Sequence, residues 1–163
     1  MNYIGIDPGL DGAVAVIDVV FNRVRLLDVP TLSVGTKREY DAAGMAALLR
    51  EFEPDNFGGV AVIESVHSMP EQGVASSFAF GKGLGIWLGI LAALQIPHEL
   101  VTPQRWKKTV MDGMAKEKDA SRQRAIQLFP AAAADLKLKK HHGRADALLM
   151  AEFKRRVDAG RAA

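Results

Sequence analysis

Three acidic residues stand where the chain is otherwise apolar: Asp7 in YIGIDPG, Glu64 in VAVIESV and Asp146 in HHGRADALLMAEF. Asp7 ends a strand-like run and is followed by Pro8 and Gly9, and Glu64 closes the run Val60, Ala61, Val62, Ile63. Asp146 lies near the start of an apolar helical stretch, facing the core that its neighbours fill. An isolated ionised carboxylate in such a place is costly unless it is paired or binds a metal. Three of them brought together would repel one another strongly. A divalent cation is the simplest physical reason to keep such a cluster, since hard oxygen ligands suit magnesium or manganese. The chain has no cysteine, which excludes disulfides and thiolate metal sites and leaves oxygen or imidazole to hold any metal.

The elements that must position these acids are readable from period and punctuation. Short apolar runs at residues 3–6, 13–18 and 24–29, joined by short connections, predict an antiparallel meander. Residues 40–53 switch to a helical period, with Met45, Leu48, Leu49 and Phe52 on one face and Asp41 as N-cap. A strand over residues 59–63 follows. Residues 74–94, rich in Ala and Leu with glycine at 81, 83, 85 and 89, predict a buried helix whose glycines permit close packing, with Phe78 and Phe80 in the core. A fifth strand over residues 98–101 would run parallel to the fourth, because a helix connects them. Helices over residues 104–110, 118–129 and 143–157 complete the chain. The expected fold is α/β: a five-stranded mixed sheet, three antiparallel strands then two parallel, with helices on both faces. The ends of strands one and four can then be neighbours, and the last helix can bring Asp146 to them.

With 163 residues, 48% hydrophobic and 25% charged, the chain has the size and composition of one globular domain spanning 1–163. Its longest uncharged apolar stretch, residues 83–97, is too short to cross a bilayer. The N-terminus has no basic segment before an apolar one, as a signal peptide would, so the expected location is cytoplasmic. Residues 1–100 carry 6 Lys and Arg against 12 Asp and Glu, and residues 101–163 carry 15 against 7, giving net charges of −6 and +8. A basic C-terminal segment beside an acidic remainder points to a polyanionic partner, or to a solvated helical surface.

In IGIDPG, VIES and the ADALLMA helix, with their order and spacing, the sequence resembles the RuvC family of Holliday junction resolvases, within the ribonuclease H-like superfamily. The resemblance implies an endonuclease that binds two divalent metals, magnesium or manganese as its substitute, and cuts phosphodiesters in branched DNA as a homodimer. It makes Asp7 the residue that bridges the metals, with Glu64 and Asp146 completing the oxygen cage. Bacterial members commonly carry an acid or histidine three residues before the last aspartate; here that residue is Gly143. His142 stands four residues before Asp146, on the same helical face. It can ligate a metal, or position or deprotonate the attacking water. His141 would be turned away by about 100°.

The resemblance also places Lys107 and Lys118, in RWKKTVMDG and AKEKDASR, near the scissile phosphate. Either can stabilise developing charge or hold the backbone. Arg105, Lys108, Arg122, Lys139, Lys140 and Arg144 are further candidates for phosphate contacts from the basic segment. Members of the family place an aromatic shortly after the catalytic glutamate, where it stacks at the junction centre. The corresponding position here is His67, with Met69 nearby, and imidazole can stack on a base. Trp106 either covers the basic helix or meets DNA. Two other readings remain: a catalytically degenerate junction-binding scaffold, which Gly143 would suit, and a phosphotransferase of the sugar-kinase and actin-like type, whose phosphate loop IGIDPG also resembles.

Overall fold

The computed structural model describes residues 1–52, 58–65, 73–114, 117 and 119–160. The chain runs β1 (Asn2–Ile6), β2 (Ala13–Asp18), β3 (Arg23–Asp28), β4 (Thr31–Val34), β5 (Lys37–Tyr40), α1 (Ala42–Phe52), β6 (Gly59–Glu64), α2 (Val74–Ala93), β7 (His98–Val101), α3 (Pro103–Val110), α4 (Ala120–Leu128) and α5 (His142–Asp158). Two short 3-10 segments, Pro130–Leu136 and Lys139–His141, lead into α5. The main sheet has the order β3-β2-β1-β6-β7, antiparallel on the β1–β2–β3 side and parallel from β1 through β6 to β7. This is the mixed five-stranded sheet expected from the sequence.

Alternation along the strands divides the core between two faces. Ile4, Ile6, Val14, Val16, Ala61 and Ile63 pack with Met45, Leu49, Trp87 and Leu91 of α1 and α2. Ala13, Ala15, Ile17, Val62 and Val101 pack on the other face with Trp106 of α3 and Ala147, Leu148 and Ala151 of α5. In a strand, residues two apart share a face. Gly5 and Asp7 therefore both look toward α5, as do Val62 and Glu64.

Helix α5 lies against β1 without an intervening layer of side chains. A Cβ built on Gly5 would stand 1.9 Å from the Ala147 carbonyl oxygen and 2.7 Å from the Ala151 nitrogen. Only a residue with no side chain fits there, and the small Ala147 and Ala151 complete the seam.

Three expectations are corrected. The β4–β5 hairpin was not anticipated; most of its residues are exposed, so they carry no hydrophobic period, and its turn is marked only by Gly35 at φ +61°. Helix α2 is only partly buried: Gly83, Trp87 and Leu91 are enclosed, whereas Phe78 is 73% exposed and not a core residue. A Cβ at Gly81, Gly85 or Gly89 would touch nothing within 4 Å. An all-apolar helix has no polar face to mark its solvent side, so sequence overestimates its burial. The 20-residue α2 is also long and apolar enough to cross a membrane by length and composition, although the uncharged stretch within it is shorter. Lys82 within it and Trp87 and Leu91 seated in the core are the features of a helix packed on a sheet.

The seam makes a direct prediction. Gly5→Ala should destabilise the chain by about 1–3 kcal/mol through overpacking, lowering the melting temperature by roughly 2–4 °C per kcal/mol. Thermal unfolding followed by circular dichroism measures it, and an unchanged midpoint would contradict the close approach.

Candidate active site

The parallel pairing of β1 with β6 sets Gly5 against Val62 and Ile6 against Ile63. Continuing that register by one residue places Asp7 beside Glu64, on the face covered by α5. Asp146 is the fifth residue of α5, beyond the first turn, so a favourable helix dipole is not what holds it. The β1–β2 turn closes onto the start of α5: a Cβ on Gly143 would lie 2.6 Å from the Asp11 carbonyl oxygen and 3.3 Å from Asp7 Oδ2. The absence of a side chain at 143 is thus a packing requirement. An acid there would collide with backbone.

Electrostatics mark the three carboxyls as one group. Burial pushes Asp7 up from 3.8 to about 7; the Gly9 N–H bond to its Oδ1, at 3.2 Å, and His142 hold it down, whereas Glu64 and Asp146 push it further up. Glu64 is raised by burial, opposed by the Trp106 indole N–H that donates to its Oε1 at 3.0 Å, and raised again by Asp146. Asp146 is raised by burial and eased by the Ser121 hydroxyl, Lys107 and His142.

A cation fits this site on the structure's own terms. The Asp146 Oδ1 atom is buried and has no hydrogen-bond partner among the described residues. Elsewhere on the same helix, the equally apolar setting of Glu152, 2% exposed, is answered by Arg155 Nε at 2.6 Å and Arg156 Nε at 2.8 Å. A buried acid with two guanidiniums is satisfied; one with an orphaned oxygen beside two other acids has room for a positive charge. Among the described residues no three acidic or histidine side chains are drawn closely enough to enclose an ion as they stand.

His142 begins α5, is exposed, and lies one turn before Asp146. It lines both openings of the site. One, on the α2 side, is bounded by Asp7, Tyr40 and Phe80; the other is a cleft of about 670 Å³ bounded by Lys107, Ser121, Lys139, Lys140 and Asp146. His141, by contrast, is buried, and its Nδ1 accepts from the Leu138 N–H at 3.4 Å. Asp11 turns outward to pair with Arg38 on the β4–β5 hairpin. Tyr40, at the end of that hairpin, donates to the Pro8 carbonyl at 3.2 Å and braces the residue after Asp7.

The basic candidates separate into two sets. Lys107, Lys139 and Lys140, with Arg122, line the cleft that reaches Asp146, and Lys108 faces the adjoining groove along α3. Arg105 is exposed with its guanidinium 5.4 Å from the Phe153 ring centroid. Arg122 and Arg144 have their forks engaged within the chain: Arg122 with Asp119 and the carbonyls of Leu136 and Lys137, Arg144 with Asp28 at 2.6 and 2.8 Å. Each fork thus has a bidentate partner within the chain; the Asp119–Arg122 pair is local in sequence, whereas the Asp28–Arg144 pair spans 116 positions and leaves no local signal. His67, Met69 and Lys118 lie outside the described residues.

The residue that sequence reasoning left undecided is Trp106. It is fully buried and meets Glu64 rather than solvent. The signal was its spacing with Val110, an apolar i, i+4 pair among the charged residues of α3.

The titration of Asp7 makes the folded, cation-free chain bind an extra proton between its ordinary value, near 3.8, and about 7. Its contribution to stability is therefore most unfavourable above about pH 7 and disappears as pH falls toward 4. Asp7→Asn should raise the melting temperature in chelator at pH 8 and much less at pH 5. Calorimetry at the two pH values reads the difference, and an equal shift at both would contradict it.

No family model matches the chain. A curated relative, the chloroplastic Holliday junction resolvase MOC1 of Chlamydomonas reinhardtii, is 35% identical over 131 residues, covering 80% of this chain but 14% of the relative. The chain thus spans about a seventh of that protein's length. Among solved structures, Thermus thermophilus RuvC in complex with a Holliday junction substrate superposes with a TM-score of 0.63 at 18% identity, over 99% of this chain and 98% of that one. A second Thermus thermophilus RuvC structure gives 0.60 at 20% identity, with the same coverage. In its sheet order and in its superposition on these structures, the chain has the fold of RuvC.

Proposed function

We propose that this chain is a divalent-metal-dependent endonuclease that cuts four-way or otherwise branched DNA. One observation carries the reading: three carboxyls, Asp7, Glu64 and Asp146, are withdrawn from water on neighbouring element ends, the charges of Glu64 and Asp146 both bear on Asp7, and Asp146 opens onto a lysine-lined cleft. The chloroplastic relative and the solved RuvC complex are named for the same DNA structure, which supports the substrate class. Asp7, Glu64 and Asp146, with His142, would hold two magnesium or manganese ions. When bound, such ions would supply a lowered pKa for the attacking water and would offset charge on the leaving oxygen.

The protein's own groups divide the remaining work. His142, exposed at the junction of the two openings, is placed to serve as a ligand or to take the proton from attacking water. Lys107 acts on both Glu64 and Asp146 through space and points its charge into the cleft, where a scissile phosphate would gather negative charge. Lys139 and Lys140 continue the cationic track, so binding should weaken steeply with salt. Lys118 and His67 keep their proposed roles at the phosphate and the junction centre.

Two active sites are needed to cut two strands of a junction, and α2 offers a surface for a second copy. Val74, Phe78, Gly81, Gly85 and Gly89 recur at helical spacing with Val74 88% and Phe78 73% exposed, forming an apolar stripe that no part of the described chain covers. We infer a homodimer through this helix.

Incubating the purified chain with a four-way junction and magnesium should give paired nicks. His142→Ala should lower the rate by about 10²–10⁴-fold, the range of a lost acid–base group, and Asp7→Asn should bind the junction without cutting it. Junction binding without nicks at any metal concentration would support the degenerate scaffold instead. Phe78→Arg should convert the dimer to a monomer in sedimentation velocity; a wild-type chain that already sediments as a monomer would refute the α2 interface.

A further inference from the structure

We propose that Trp106 is a positioning residue that holds the Glu64 carboxylate in its cation-binding orientation; the proposal rests on the metal-centre reading above. Glu64 is the last residue of β6, its backbone in register with Val101 of β7, which fixes the strand but not the rotamer of the carboxylate. The Trp106 Nε1–H donates to its Oε1 at 3.0 Å, claiming one oxygen and leaving the other for a cation. A donor on an ionised carboxylate makes a charge-assisted bond, stronger and more directional than a neutral one.

The indole is itself firmly held. Trp106 is fully enclosed, in the core cluster that contains Val101, Val110 and Ala145. The start of α3 is set by the Thr102 side chain, which accepts from the Arg105 N–H, and by Pro103 in the first turn. The Lys107 ammonium lies 5.1 Å from the centroid of the same indole. One rigid ring therefore contacts both a proposed ligand and the lysine of the cleft. Removing it releases both.

A buried indole needs an acceptor, and Glu64 could be no more than that. Trp87 argues otherwise. It is equally enclosed, yet its Nε1 has no partner among the described residues, so a buried indole here is not always met by an acceptor from them. The bond at Trp106 is made to one of the three acids proposed to hold the cation.

The chain has two tryptophans, and this makes the proposal measurable without catalysis. In Trp87→Phe, Trp106 is the sole source of indole emission. Magnesium added to this variant should shift or quench that emission saturably, at the concentrations that raise its melting temperature, and adding Glu64→Gln should remove the response. Trp106→Phe keeps an aromatic ring in the core but removes the donor. It should raise the magnesium concentration for half-maximal thermal stabilisation, and for half-maximal junction nicking, by about 10–100-fold, the effect of losing a group that orients a ligand. The rate at saturating magnesium should fall much less.

An unchanged magnesium requirement in a folded Trp106→Phe, or indole emission blind to magnesium while the melting temperature rises, overturns the proposal. Should Trp106→Phe fail to fold, the emission experiment decides alone. If magnesium alters neither emission, melting temperature nor nicking in the wild-type chain, the metal centre itself fails, a result distinct from the other two.

Discussion

The close approach of α5 to β1 is the constraint from which the site follows. Gly5 has no side chain, Ala147 and Ala151 have only a methyl, and the helix settles directly on the strand backbone. One turn earlier on the helix, Gly143 settles on Asp11 and Gly12 in the same way. Two contacts along one axis fix both the distance and the rotation of α5 relative to β1. That fixes Asp146 relative to Asp7. A bulkier residue at either glycine would move a carboxyl on one element away from its counterpart on the other, since interiors are close-packed and transmit displacement.

Burial at this seam has an electrostatic cost that the fold leaves standing. Asp7, Glu64 and Asp146 are withdrawn from water and all have raised pKa values, and Asp146 keeps an oxygen without a partner among the described residues. The same helix neutralises Glu152 with Arg155 and Arg156 three and four residues on. The cationic groups near the three acids are instead set back: Lys107 acts through space, and His142 sits on the rim. Strain of this kind is characteristic of sites where a charge arrives with a ligand.

Much of the framework was legible in the chain itself. The order of strands and helices followed from a switch between periods of two and 3.6, and Asp7 and Glu64 were found because each breaks an apolar run at a strand end. The reading failed where that contrast is missing. Residues of β4 and β5 face solvent and show no alternation, and α2 is apolar on all sides, so nothing in it distinguishes the Trp87 face from the Phe78 face. The basic segment was seen as a whole, but its charge could not be apportioned. Arg144 is engaged by Asp28, and Arg122, though it lines the cleft, by Asp119, whereas Lys139 and Lys140 line the cleft beside them.

The sequence by itself determined the acids, their place at element ends and the sheet that carries two of them, because these depend on local period and on the cost of an unpaired buried charge. Tertiary structure alone decided why residue 143 is glycine and which group holds Glu64. Gly143 answers to the backbone of Asp11, and Trp106 reaches an acid 42 positions away. Such contacts arise from packing between elements distant in the chain, and no local pattern encodes the angle at which two elements meet.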